Sequence, residues 1–227
     1  QVRITGQLID AKTDEHLWAD IYDRKISDIF KVQSEVAKTI ASTLGAELTV
    51  SEEKELASAK EIHPMAYDYY LKSDIGGNSN EDDIEQAIRY LEKALEYEPE
   101  YIEAIIKLAN WHGWMYFLGL DRTDLRLAEN RKYLDMAKSI APDEPLVFQA
   151  EGTYYYRMFR DYDKAFELFD KANLKTADSY AFRAWVLRRL GRWDECIEYI
   201  LKSIELNPKA AGIYRELGGT YNAIGDY

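Results

Sequence analysis

Residues 177–210 read ADSYAFRAWVLRRLGRWDECIEYILKSIELNPKA, and residues 211–227 read AGIYRELGGTYNAIGDY. Laid one over the other, the second stretch repeats the first half of the first. Tyr180 falls on Tyr214, Leu187 on Tyr221, Gly191 on Gly225 and Trp193 on Tyr227. The period is about 34 residues. Numbered within the complete stretch, small residues stand at 8, 20 and 27 (Ala184, Cys196, Ser203) and large ones at 4, 11, 17 and 24 (Tyr180, Leu187, Trp193, Ile200). Pro208 stands at 32. This spacing predicts a pair of packed helices. The small positions let the two helices, and the first helix of the next unit, approach closely. The large ones fill the remaining gaps. Proline ends the second helix, because it lacks an N–H and clashes with the preceding turn. Such a pair leaves an apolar face that only another pair can cover, so one copy implies neighbours.

The neighbours are found by working back along the chain. In residues 145–176, Phe148, Gly152 and Tyr155 fill positions 4, 8 and 11. One extra residue enters the turn before Asp161-Tyr162, and Ala165, Phe169 and Ala172 complete the second helix. The closing linker is about three residues short and lacks the proline. In residues 102–142, Leu108 and Ala109 stand at 7 and 8, and Asn130, Leu134, Ala137 and Pro142 at 20, 24, 27 and 32. An insertion is expected around Trp114 to Thr123. In residues 64–99, Tyr67, Tyr70 and Leu71 belong to a first helix and Ala87, Leu91 and Ala94 to a second, separated by the insertion GGNSNEDD.

This pattern resembles the tetratricopeptide repeat (TPR) family. Its signature places an aromatic at 4, Leu-Gly at 7 and 8, Tyr at 11 and Gly-Asp-Tyr at 15 to 17. Here those are Tyr214, Leu217, Gly218, Tyr221, Gly225, Asp226 and Tyr227. The resemblance implies a mainly α fold, a TPR-type superhelix over residues 63–227, with units at about 64–99, 102–142, 145–176 and 177–210 and a partial one at 211–227.

Residues 1–62 read differently. VRITGQLID alternates as a strand, with Val2, Ile4, Gly6 and Leu8 on one face. DAKTDE supplies turn chemistry. HLWADIYD follows as a second strand, with Leu17, Ala19 and Ile21 opposed to Trp18 and Tyr22. Ser27 is the expected cap of a helix whose apolar face is Ile29, Val32, Val36, Ile40 and Leu44. Thr49 and Glu52 have capping-box spacing for a short helix to about Lys60, and His63-Pro64 breaks the chain before the repeats. An isolated hairpin is marginal in water, so a larger sheet is expected upstream. These residues resemble the end of a small α/β domain related to the TolB N-terminal and FlgO types. That domain precedes TPR arrays in class III nucleotide cyclase-like and CadC-like bacterial signalling proteins. The start at Gln1 and the half unit at Tyr227 suggest a piece of a longer protein.

The net charge of -12 argues against a nucleic-acid surface, which needs a positive field. No apolar run approaches the roughly 20 residues that span a bilayer, so no direct membrane insertion is expected in this segment. The compartment stays open, cytoplasmic or periplasmic. Cys196 is the single cysteine and sits at a small-residue position, which favours a packing role. His16, His63 and His112 have no metal-ligand spacing, and His112 occupies a position usually filled by a packing aromatic. GGNSN at 76–80 lacks the context of a phosphate loop. Acidic pairs such as Asp82-Asp83 are expected as N-terminal helix charges. No nucleophile–base set assembles, so neither catalysis nor a cofactor is expected.

In TPR superhelices the first helices line a concave surface, chiefly through positions 2, 5, 9, 12 and 13. The resemblance places Lys72, Asn110, Trp114, Tyr156, Arg157, Trp185, Arg188, Arg189, Arg215 and Asn222 there. Aromatics, amides and guanidinium groups suit a peptide groove, because they offer large anchors and donors for carbonyls and carboxylates. A solvated helix face would carry the same Arg and Asn. Trp185 is the sharpest case, since the signature needs no large residue at position 9. Arg183, Arg188, Arg189 and Arg192 cluster near a helix end, either as solvated charges or as a site for an acidic or C-terminal carboxylate ligand. Some family members clamp a carboxylate with Lys and Asn. Asn110 matches at position 9, but the matching basic residues are not in place, and that specificity is not carried over. The expectation is a protein- or peptide-binding scaffold. The alternative is a regulatory part of a cyclase or transcriptional regulator whose effector domain is elsewhere. Pairing of two copies through the hairpin or the C-terminal helix is also expected.

Overall fold

The computed structural model describes residues 2–24, 29–45, 62–74 and 80–225. It divides into two compact units, residues 1–69 and 70–227, each described by itself. The expected cap at Ser27, the short helix from Thr49 to about Lys60, the connector at 76–79 and the closing Asp226-Tyr227 lie outside the described residues.

In the first unit, strands β1 (Val2–Ile9) and β2 (His16–Arg24) form a two-stranded antiparallel sheet. The register pairs Ile4 with Tyr22, Gly6 with Asp20 and Leu8 with Trp18, so these side chains share one face. Gly6 has a steric reason: a Cβ there would come 2.8 Å from the Trp18 ring. The turn is held by Asp10, whose carboxylate accepts from the Lys12 N–H at 2.7 Å and whose carbonyl accepts from Asp14 at 2.8 Å. Helix α1 (Ile29–Thr43) packs on β2, and Tyr22 and Val32 are buried. Leu44 is not part of the apolar face of α1. It lies beyond the helix, largely exposed, where Gly45 turns the chain at φ 68. The other sheet face, with Leu17 and Ile21, is open to solvent, as is Ile9.

The second unit takes in the end of α2 (Pro64–Lys72) and then α3 (Glu81–Tyr97), α4 (Ile102–Leu118), α5 (Asp124–Ile140), α6 (Pro145–Tyr154), α7 (Tyr162–Ala172), α8 (Ala177–Arg189), α9 (Trp193–Leu206) and α10 (Ala211–Ile224). The pairs α4–α5, α6–α7 and α8–α9 pack tightly, and each second helix also meets the first helix that follows it. The small-residue positions of the complete units are buried: Ala87, Ala94, Ala109, Ala137, Ala165, Ala172, Ala184, Cys196 and Ser203. One apolar cluster joins Ala184 and Leu187 of α8 to Cys196 and Ile200 of α9 and Ile213 of α10. Each large side chain so buried contributes about 1.5–3 kcal/mol.

The departures from the repeat have local causes. Asn80 caps α3 with a full capping box, since its side chain accepts from Asp83 N–H and Asp83 accepts in return. The residues Glu81, Asp82 and Asp83 are therefore helical and not part of a connector. Between α4 and α5 the insertion is shorter than expected, because α4 runs on to Leu118 and stops at Gly119 with φ 78. Trp114 is thus a helical residue. The extra residue before Asp161 is absorbed by a π-helical turn, Tyr155–Phe159, closed by Arg160 at φ 55. Where the proline is missing after α7, Asn173 at φ 47 ends the helix instead.

A partly buried polar network ties three helices together. Arg126 of α5 bonds to Glu85 of α3, to Asp121 at 2.8 Å and to Nδ1 of His112 of α4 at 3.2 Å. His112 is buried and stacked on Tyr133, with ring centroids 5.7 Å apart. Beside it, the Asn130 amide donates to the Ala109 carbonyl, and a Cβ on Gly113 would strike that amide.

Candidate functional site

The first helices of the repeats bring a set of aromatic and charged side chains to one groove of about 390 Å³. Trp114 of α4, Phe182 and Trp185 of α8 and Ile213 of α10 form its apolar walls. Asp178, Asn207, Arg215 and Glu216 supply its polar edge. The aromatic side is rigid. Phe182 stands edge-on to Trp185 at 5.2 Å and stacks on the buried Phe169 at 5.7 Å. A partner would therefore meet indole surface whose ordering cost has been met within the fold.

The expected residues do not all behave alike. Trp114, Trp185 and Arg215 line the groove. Arg188 does not; it holds Glu216 at the wall through an ion pair of 2.5 Å. Arg157 stacks its guanidinium over the Trp114 ring at 4.4 Å from the centroid. Burial pushes the Arg157 pKa down to about 10. Tyr156 hydrogen-bonds Arg189, which raises the arginine pKa, and its ring lies 5.7 Å from that of Tyr162. Asn110 is half-buried and Asn222 exposed, and neither lines the groove.

Sequence reasoning missed Phe182 and Glu216. Both stand at position 6 of their units, one residue after a position that the family pattern points inward. Asp178, at position 2, did fit the rule but is not an aromatic or an amide.

The arginine cluster of α8 does not act as one patch. Arg183 is only 4% exposed and donates to the carbonyls of Phe169 and Leu174 and to Ser179 Oγ. It closes the end of α7 against α8. Arg192 pairs with Glu195 at 2.5 Å. With Arg188 on Glu216 and Arg189 on Tyr156, the four guanidinium groups point to four different partners. Within the groove, Arg215 is the cation with no carboxylate at ion-pair distance among the described residues.

Cys196 is buried, and burial raises its thiol pKa, which disfavours the thiolate. Among the described residues, no group of three or more His, Cys, Asp or Glu could hold a metal ion. No described helix is long and apolar enough to cross a membrane.

Two family models, each described as Tetratricopeptide repeat, match residues 177–210 and 69–101. The chain therefore carries tetratricopeptide repeats. It is 45% identical over 73 residues to "Putative adenylate cyclase 3" of Rhizobium meliloti (strain 1021), covering 32% of this chain and 12% of that protein. It is 29% identical over 104 residues to "Anaphase-promoting complex subunit 6" of Arabidopsis thaliana, covering 42% of this chain and 19% of that one. The matched part is thus a small fraction of either relative. Among solved structures, a thermophilic TPR protein of Thermus thermophilus superposes with a TM-score of 0.55 at 16% identity, over 86% of this chain and 96% of that one. This likeness shows a mainly helical, TPR-like fold, and the structure adds a small antiparallel sheet at the N-terminal end.

Proposed function

We propose that the second unit is a scaffold that binds a peptide segment of another protein in the groove between Trp114 and Trp185. The observation that carries this reading is the pair of indoles facing one cavity, with Arg215 unpaired at its edge. Large rigid aromatics and arginine dominate binding energy at protein interfaces. Arg215 can accept a carboxylate, from an acidic side chain or a C-terminus, as a bidentate fork. Trp185, Tyr156 and Arg189 supply the neighbouring surface, with Asn110, Arg157, Arg188 and Asn222 around it. Repeat pairs use their other faces to cover one another, so this face is the one left for a partner.

The test is a random peptide library displayed and selected against the chain. Selected peptides are then titrated into wild type and into Trp185→Ala with Arg189→Ala. The pair of substitutions should weaken binding by about 2 kcal/mol or more, roughly 30-fold, with helicity unchanged. Equal affinities for both proteins would sink the groove assignment.

The match to the cyclase-named protein favours a second reading alongside the first. In it this chain is the regulatory region of a larger bacterial signalling protein, and residues 1–62 end a small α/β domain of the TolB N-terminal and FlgO-like kind. The coding sequence adjoining this chain then specifies a cyclase or DNA-binding domain; flanking sequence with neither would overturn it. Self-association belongs to the same proposal, through the open sheet face at Leu17 and Ile21 or through α10.

A further inference from the structure

A second, smaller pocket of about 190 Å³ is lined by Tyr116, Phe117, Arg122, Arg157, Met158 and Arg160. Three of its six lining residues are arginines. The end of α4 supplies Tyr116 and Phe117, and two irregular segments complete it, the connection after α4 and the π-helical turn after α6. The regular repeat requires neither.

The chain is rich in acids. It has 41 acidic and 29 basic residues, so most cations can find a carboxylate. Arg126, Arg131, Arg188 and Arg192 each do. Arg122, Arg157 and Arg160 do not, for no described carboxylate lies within ion-pair distance of them. The acids nearest in sequence are committed elsewhere. Asp121 bonds Arg126 and the Thr123 N–H, and Asp161 caps α7 through the Lys164 N–H. Three like charges around one small pocket repel one another, and a bound anion offsets what solvent does not screen.

Two of the three side chains are also positioned, and Arg160 is held through its backbone. The Arg122 guanidinium lies against Gly119, where a Cβ would meet its Nε at 3.2 Å. Arg157 is fixed over the rings of Trp114 and Phe117, at 4.4 and 6.0 Å. Arg160 takes a left-handed backbone at φ 55 and donates its N–H to the Tyr155 carbonyl.

We propose that Arg122, Arg157 and Arg160 form a binding site for a phosphate-type oxyanion. One carboxylate is satisfied by a single arginine fork. A phosphate monoester carries close to two charges and three strong acceptor oxygens, which matches three guanidinium groups. Phe117, Met158 and Tyr116 give the rest of the pocket a surface for the group that carries the phosphate. Arg157 is half-buried against the Trp114 and Phe117 rings, and Arg122 and Arg160 are exposed, so the site is open to an anion from solvent. The site shares no lining residue with the peptide groove, although Arg157 stacks on the groove's Trp114, and the inference does not need that groove to be filled.

The experiment follows the arginine side-chain Nε–H resonances while inorganic phosphate is added at constant ionic strength, with chloride as the control. Phosphate should shift the Arg122, Arg157 and Arg160 signals together. Arg122→Gln with Arg160→Gln should weaken phosphate binding by about tenfold or more while circular dichroism stays unchanged. A phosphoserine peptide and its unphosphorylated form distinguish the sources. Tighter binding of the phosphopeptide than of phosphate assigns the site to a phosphorylated partner; equal binding assigns it to a free phosphate ester. The same double variant should leave library-selected groove peptides bound as before, so failure of the groove reading would be seen separately. Phosphate binding no stronger than chloride, or unchanged in the double variant, overturns the proposal.

Discussion

Gly152 and Gly218 both occupy position 8 of their units, and the structure predicts that the same substitution acts on them with opposite sign. Position 8 is where the first helix of a pair approaches its partner. At Gly152 an added Cβ would lie 2.6 and 2.8 Å from ring carbons of Phe169 and 3.1 Å from the Ala165 carbonyl oxygen. The ring cannot swing away, because Phe169 is buried and stacked on Phe182. The carbonyl belongs to α7 and moves only with its helix. Overpacking of this kind costs about 1–3 kcal/mol. Replacing a helical glycine by alanine returns about 1 kcal/mol. Gly152→Ala should therefore destabilise by about 1 kcal/mol net. At Gly218 nothing lies within 4 Å of the added Cβ. Gly218→Ala should stabilise by about 0.5–1 kcal/mol through the backbone alone. Urea unfolding followed by far-ultraviolet circular dichroism measures both, with the two midpoints moving in opposite directions. If Gly152→Ala raises the midpoint as Gly218→Ala does, α6 and α7 do not approach as described, and the packing rule fails in the third unit.

Other perturbations test other contacts. Burial holds the pKa of His112 below its usual value of 6.5, so the unfolded chain takes a proton that the folded chain refuses. Stability should be full above about pH 6.5 and decline as pH falls toward the folded-state pKa; His112→Phe should flatten that part of the curve, and an identical pH profile would contradict the burial argument. Arg126→Gln leaves Glu85 and Asp121 without their cation. The loss should be about 2 kcal/mol, below the roughly 3–5 kcal/mol of a fully buried pair, because these side chains keep 14% to 31% exposure. A denaturation midpoint equal to wild type would refute the network. Light scattering at high protein concentration should give twice the monomer mass, and Ile21→Lys should return the monomer if the open sheet face is the contact. A wild type that stays monomeric removes that proposal.

The repeat was legible because its constraint is steric and periodic. A small residue every few turns, at Ala184, Cys196 and Ser203, leaves a mark in sequence that the structure then explains residue by residue. The family match at 177–210 covers the same residues as the stretch that opened the reading. The faces of the hairpin strands were legible for a similar reason, since alternation fixes which side chains of a strand share a face, while the register that pairs Ile4 with Tyr22 was not. The irregularities were less so. An extra residue before Asp161 is visible, but the chain could loop it out or wind it into the helix, and only the hydrogen bond from the Arg160 N–H to the Tyr155 carbonyl decides for the π turn. Likewise Trp114 reads as part of an insertion until Gly119 is seen to carry the helix stop. The groove was partly legible. Trp114, Trp185 and Arg215 follow from the family pattern, while Phe182 and Glu216 need the angle at which α8 and α10 meet. Pairing of charges was not legible at all: Arg183, Arg188, Arg189 and Arg192 are neighbours in sequence yet end on four partners, and Arg122 is distant from Arg157 and Arg160 yet shares their pocket.

The most direct test of the peptide groove is a map of backbone amide shifts on adding a library-selected peptide to the isotopically labelled chain. The shifts should concentrate on Trp114 of α4, on Asp178 to Trp185 of α8 and on Gly212 to Glu216 of α10. Shifts centred instead on the outer face of α9, around Leu201 and Leu206, with α8 and α10 unchanged, would contradict it.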